Sequence, residues 1–354
     1  HRLFHRLGLA PRAALLGLLL VALAAPLLAA AVRQWRVRAE SRIVNRPTAP
    51  LDMAGEAMGG ASGPFFPSSI RTTHGGRIPS DFFLTSETCG RSGCHPDILK
   101  QWSSSAHRFS SFNNQWYRKS IEYMQDTIGV ESSKWCAGCH DVAVLLNGMF
   151  DRPVREILHT PEAQAGLACT ACHAIVKVNS TMGQGDYEIE YPPLHRMAAS
   201  EQPLLRGLHD FLVKLDPEPH RRAFLKPFHR GNAEFCSSCH KVHLDVPVNH
   251  YRWIRGFNEY DNWQASAVSG QGARSFYYPP KPQVCSDCHM PMVPSTDAGN
   301  IAGLVHSHRF PAANTALPVA NRDEEQLQTV VDFLQNRQVT LDIFAVSEAE
   351  AGGV

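Results

Sequence analysis

The sequence predicts a mainly α chain with long loops, carried on one N-terminal transmembrane helix. Three observations predict it. An uncharged apolar run fills residues 13–32 (AALLGLLLVALAAPLLAAAV). Helical periodicity recurs in short stretches over 96–336, while alternating, strand-like stretches are few. Finally, Cys-x-x-Cys-His returns along the chain at irregular intervals, with much irregular sequence between copies.

The chain has 354 residues, a formal net charge of +1 and 44% hydrophobic residues. A near-neutral charge does not argue for nucleic acid, which is not expected as a partner. The apolar run inflates the hydrophobic fraction, so the remainder is leaner than it looks.

The flank 1–12 precedes that run. At 1.5 Å per residue, about 20 residues match the hydrocarbon core of a bilayer. Pro26 is tolerated in a membrane helix. A secretory signal has a shorter apolar region, so 13–32 is expected to be retained as an anchor. Because the chain opens on His1, further residues are expected upstream. Arg33, Arg36, Arg38, Arg42 and Arg46 follow the span, against Arg2, Arg6 and Arg12 before it. Charge alone would place the C-terminal side in the cytoplasm. The cysteine motifs overrule that orientation, as argued below.

Residues 33–80 are expected to be a linker; from 45 on they are rich in Pro, Gly, Ser and Ala. Phe65 and Phe66 are expected to dock locally. A domain over 81–322 carries the motifs. Pro96 suits the first turn of a helix to about residue 109, with Leu99, Ser103 and His107 in one row. Further helices are expected over 115–128, 152–159, 201–215 and 219–226, and a hairpin arm over 184–191. The final segment, 323–354, opens with an amphipathic helix over 323–336, acidic at its start, which suits the helix dipole. A strand over 339–343 has no visible partner, so the start of a further domain is expected there.

The motifs are Cys89-x4-Cys94-His95, Cys136-x2-Cys139-His140, Cys169-x2-Cys172-His173, Cys236-x2-Cys239-His240 and Cys285-x2-Cys288-His289. Cys-x-x-Cys-His attaches a c-type haem: the thiols bond to its vinyl groups and the His ligates the iron. Five motifs consume all ten cysteines, so none is left for a disulfide or a nucleophile. Tetrahedral zinc pairs one Cys-x-x-Cys with a second ligand pair and gives no reason for a His after each motif. Five haem c groups are therefore expected, with His95, His140, His173, His240 and His289 as proximal ligands. Haem is attached on the outer face of the energy-transducing membrane, so the haem domain is expected to be periplasmic or exoplasmic. The protein would then be single-pass in the cell (inner) membrane.

Electron-carrying haems take a second axial ligand, His or Met. Among the 18 histidines, His107, His209, His229, His243 and His308 are the distal candidates, with His220 and His306 in reserve. His159, His195 and His250 rank lower. Met290 is too close to His289 to reach the far face of that iron and reads as a packing residue. The aromatic run 251–278 reads as packing around the last two haems, with Arg252, Arg255 and Arg274 near their propionates. No residue is singled out as catalytic.

C-x4-C-H-P…W…S…H at 89–107, EFCSSCHKVH at 234–243 and CSDCHMP at 285–291 resemble the multihaem cytochromes that include pentahaem nitrite reductase, hydroxylamine oxidoreductase and their electron-transfer relatives. The resemblance spans about residues 85–320. It implies electron transfer through closely packed haems. The nitrite reductases carry a Cys-x-x-Cys-Lys catalytic haem, and here every second cysteine precedes His, which argues against reductase activity. The anchor with five haems also resembles the pentahaem subunit of alternative complex III. That implies other subunits of a membrane redox complex, quinol-oxidising or otherwise respiratory or photosynthetic, and a soluble electron carrier as partners. An electron-transfer subunit is expected rather than a self-sufficient enzyme. The alternative is a reductase or oxidase of a small nitrogen or sulfur compound with one five-coordinate haem.

Overall fold

The structure, a computed structural model, describes residues 9–44, 52–250, 254–272 and 278–336, with 343 and 346. It is mainly α with long loops and seven short strands among the described residues. Helix α1 (Leu9–Glu40) is continuous through Pro26. Within it, Ala13–Ala39 is long and apolar enough to cross a membrane, and none of its best window is buried. This extends the expected span at its C-terminal end. Only Ser41, Arg42 and Ile43 separate α1 from Val44, whose carbonyl accepts from the Thr181 amide at 3.0 Å.

Residues expected to belong to a linker are instead packed from Met53 onward. Phe65, Ile70 and Ile78 join the main core with Phe82, Val144, Leu146, Phe150 and Tyr187. Gly, Pro and Ser discourage regular structure here, but apolar side chains spaced along an irregular path still bury. Phe66 belongs to a smaller cluster with Met53 and Val248.

Strands β1 (Arg71–Thr72), β2 (Ile175–Val178) and β3 (Tyr187–Ile189) form one sheet in the order β1-β3-β2. β3 runs parallel to β1 and antiparallel to β2. The arm expected over 184–191 is thus the central strand, and its alternation survives as Tyr187 and Ile189 buried, Glu188 half-buried. Two pairs complete the strands: β4 (His243–Leu244) with β5 (Ile254–Arg255), and β6 (Met292–Pro294) with β7 (Leu304–His306).

Helix α2 (Pro96–Ser104) starts at the expected proline but ends before 109. Ser105 turns extended and its hydroxyl donates to the Trp102 carbonyl at 2.8 Å. This side-chain bond competes with the helix ladder and takes His107 out of the Leu99–Ser103 row. Helix α3 (Gln115–Ile128) is capped by Asn114, whose side chain accepts from the amides of Trp116 and Tyr117. Gly129, at φ 92°, separates it from α4 (Val130–His140), which was not expected. The helix expected over 152–159 shrinks to α5 (Val154–Ile157). α6 (Cys169–His173), α7 (His195–Ala199), α8 (Pro203–Leu215), α9 (Glu218–Phe224), α10 (Cys285–His289) and α11 (Glu324–Gln335) follow. α11 is capped by the Asp323 carboxylate on the Gln326 amide. The strand expected over 339–343 lies outside the described residues, apart from Ile343.

Candidate haem centres

Three motifs lie wholly within a helix: the second closes α4, and the third and fifth form α6 and α10. One helical turn brings both thiols of a Cys-x-x-Cys to one side and lets the following His hang beneath. In the longer first motif, Ser92 (φ 58°) and Gly93 (φ 74°) take left-handed backbone to absorb the extra residues. The His95 amide still closes back on the Cys89 carbonyl at 2.9 Å. The buried Asp297 carboxylate accepts from the amides of Asp97 and Ile98 at 2.9 and 3.0 Å. It caps α2 from the loop beyond the fifth motif.

All ten cysteines are free and half-buried. Thiols of different motifs touch. Cys89 is in hydrogen-bond contact with Cys169, Cys139 with Cys239, and Cys236 with Cys285. Burial pushes the Cys136 and Cys172 thiols up to about 12. The motifs are therefore packed edge to edge: first on third, second on fourth, fourth on fifth.

Three of the motif histidines have their Nδ1 engaged by a backbone carbonyl. His140 meets Ser110 at 2.9 Å, His173 meets Phe224 at 2.9 Å and His289 meets Pro311 at 2.7 Å. An Nδ1–H donated to a carbonyl fixes the tautomer that leaves Nε2 open as a metal ligand. His306 and His308 share this arrangement, on the carbonyls of Met290 and His306, both at 2.8 Å.

Two imidazoles bound on opposite sides of one metal, through nitrogen bonds of about 2 Å, hold their ring centroids roughly 6 Å apart. Three pairs have this spacing. His95 and His220 are 6.4 Å apart, His240 and His107 6.2 Å, and His173 and His308 6.1 Å. Burial first, then neighbouring histidines, hold His107 down at about 3 and His220 and His308 at about 4. All three are neutral at pH 7, as a ligand must be. His95 and His220 each bury an Nδ1 with no hydrogen-bond partner among the described residues, so neither ring is fully committed to protein groups. Among the described residues no three His, Cys, Asp or Glu side chains converge as a metal site. Axial pairs of this kind fit a group that brings its own four equatorial nitrogens, as haem does.

The other candidates are placed differently. His209 Nδ1 meets the Asp210 carboxylate at 3.0 Å. His229 lies 5.3 Å from His173, but its Nδ1 accepts from the Lys226 amide and its Nε2 faces the Cys172 carbonyl at 3.1 Å. Both nitrogens are thus taken. His243 Nε2 forms a buried contact with Glu56 at 3.0 Å. His195, also buried, meets the Thr85 hydroxyl at 2.8 Å. His159 and His250 are exposed. Asp210 is the sequence neighbour of His209, whereas Glu56, the partner of His243, comes from a distant segment that spacing could not foresee. For His140 the nearest ring is Tyr117, parallel at 4.4 Å, with its hydroxyl donating to the Asp141 carboxylate. Of the aromatic run, Tyr260 is buried beside Trp263; Tyr251, Trp253, Phe276, Tyr277, Arg252 and Arg274 lie outside the described residues.

Residues 88–174, which hold the first three motifs, match the family model described as cytochrome c554 and c-prime. That match supports a c-type cytochrome. It implies covalently bound haem c with iron and a role in electron transport. No curated protein and no solved structure matches the chain.

Proposed function

We propose that the protein is a membrane-anchored cytochrome that relays electrons through five haem c groups. The relay would link a membrane redox complex, quinol-oxidising or otherwise respiratory or photosynthetic, to a periplasmic carrier that serves as acceptor or donor. The observation that carries this reading is the set of motif contacts. Cys89 on Cys169, Cys139 on Cys239 and Cys236 on Cys285 place neighbouring attachment edges together. Cys172 also lies within electrostatic reach of Cys236 and Cys239. The order that follows is first, third, fourth, with the second and fifth both adjoining the fourth.

Bound haem supplies one-electron exchange between ferric and ferrous iron. The protein's residues do the rest. His95, His173 and His240 would hold haem as proximal ligands, and His220, His308 and His107, whose rings face them, would serve as distal ligands. Paired imidazoles would hold a bound haem iron low-spin. Apolar burial around the rings excludes water and limits reorganisation. The short connection from α1 to Val44 holds the haem domain against the membrane, with the periplasmic or exoplasmic side following from where haem is attached.

A second reading has one observation in its favour. Among the described residues His140 and His289 have no histidine at the trans spacing, which suits an open iron and an enzyme of small nitrogen or sulfur compounds. Electron paramagnetic resonance of the holoprotein decides between them. Low-spin signals alone, unchanged by nitrite or hydroxylamine, support the relay. A high-spin signal that shifts on adding either contradicts a pure relay.

A further inference from the structure

The facing histidine pairs of the first and third motifs differ in what holds their Nδ1 atoms. In the third site both rings are anchored: His173 Nδ1 faces the Phe224 carbonyl at 2.9 Å and His308 Nδ1 the His306 carbonyl at 2.8 Å. In the first site neither ring is. Nδ1 of His95 and Nδ1 of His220 are buried with no hydrogen-bond partner among the described residues. The surroundings account for this. Gly299 lies so close to His95 that a Cβ there would sit 2.8 Å from Cε1 and 3.3 Å from Nδ1. Its loop spends its polar groups elsewhere. The Ala298 amide donates to the Cys94 carbonyl at 2.8 Å, and the Asp297 carboxylate accepts from the amides of Asp97 and Ile98. His220 has the Phe224 ring beside it, with centroids 5.0 Å apart.

The difference acts on iron. A ligand imidazole that donates its Nδ1–H to an acceptor is a more basic ligand, and a more basic ligand favours ferric over ferrous iron. Two donated protons therefore hold the third haem at low potential, and two undonated ones leave the first higher. Ring orientation does not separate the sites, since the planes differ by 18° in the first pair and 27° in the third. Charge between haems acts in the same direction. The third motif adjoins both the first and the fourth, whereas the thiols of the first meet another motif only at the third among the described residues. More reduced neighbours oppose adding an electron at the third. The Asp297 carboxylate works against this order, because negative charge beside His95 favours ferric iron. The two amides it accepts from, at the positive end of α2, offset that charge.

We propose that the first haem lies at a more positive potential than the third, so that electrons step from the third to the first and leave the chain there toward a one-electron acceptor. In that step ferrous iron at the third site gives up one electron and ferric iron at the first takes it. The Nδ1 protons stay where they are. This rests on the relay reading and gives the relay its direction.

The test is a potentiometric titration of the full-chain holoprotein, followed by absorbance and electron paramagnetic resonance, in the wild type, His220→Ala and His308→Ala. Each variant removes one low-spin component, which marks the first or the third haem in the wild-type titration. The component lost in His220→Ala is expected to be reduced first as the potential falls. Its advantage should be about tenfold or more in the equilibrium constant, which is about 59 mV for one electron. Equal midpoints, or the reverse order, overturn the proposal. His220→Met and His308→Met keep a sixth ligand and assign the same two haems through the component each moves to higher potential. The order can thus be read even where an alanine variant fails to fold. Variants that fold with haem yet neither remove nor move a low-spin component would show that these histidines are not ligands. That outcome defeats the ligand pairing of the relay reading, and this proposal with it.

Discussion

The imidazoles of His95 and His220 face one another with centroids 6.4 Å apart and ring planes within 18°. Their side chains come from the first motif and from α9, two segments far apart in sequence. His220→Ala should therefore open one iron to solvent. The expected result is a new high-spin signal of about one haem per chain that binds cyanide. The same substitution at His209 should leave the spectrum unchanged, because that ring faces Asp210 instead.

Asp297 ties the last motif's loop to the first. Its carboxylate accepts two amides at the start of α2, as a capping side chain does. Asp297→Ala is expected to cost about 1–2 kcal/mol, read as a lower denaturant midpoint. Asp297→Asn, which keeps one acceptor, should recover part of that loss.

Gly138, inside the second motif, approaches Ser68 so closely that a Cβ would sit 2.2 Å from the Ser68 hydroxyl. Gly138→Ala is expected to destabilise by about 1–3 kcal/mol. The double variant Gly138→Ala/Ser68→Ala should regain most of it, since the clash is with that hydroxyl. Thermal unfolding of the two holoproteins checks the pair.

Acid should weaken the fold through His195. Burial first, then repulsion from His209, holds this histidine at about 4 in the folded chain. Unfolded, it titrates near 6.5. The unfolded state therefore binds the extra proton between those values, and stability falls as pH drops from about 6.5 to 4. The loss approaches about 3 kcal/mol for a shift of this size. His195→Gln, which keeps an acceptor toward Thr85, should flatten that part of the stability–pH curve. An equal slope in both proteins would contradict the assignment.

Much of this arrangement was legible in the sequence because its chemistry is local. Cys-x-x-Cys-His specifies its own turn, and an uncharged run such as 13–32 needs no partner to be read. α3, α8 and α11 follow from periodicity, and the structure adds Asn114 and Asp323 as the caps of α3 and α11. The misreadings share one cause: they depend on what lies opposite. Residues from Met53 to Ile78 have the composition of a linker, yet they bury because a core built from 142–189 receives them. His107 was placed on the helix of the first motif, but Ser105 ends that helix and directs the ring toward His240. His229 and His243 sit near motifs in sequence, while backbone groups and Glu56 claim their nitrogens. A distal ligand is a relation between two distant segments, and spacing along one of them does not encode it.

The central claim is that each of the five motifs holds its own haem, so that the contacts of Cys89, Cys139 and Cys236 with their partners, joined by the approach of Cys172 to Cys236 and Cys239, connect one continuous relay. Intact-mass measurement of the denatured full-chain holoprotein tests it most directly, because thioether-linked haem survives denaturation. The account predicts five haem increments per chain, falling to four when His95 is kept and Cys89 and Cys94 are both replaced by Ala. A wild-type mass with four or fewer increments would contradict it.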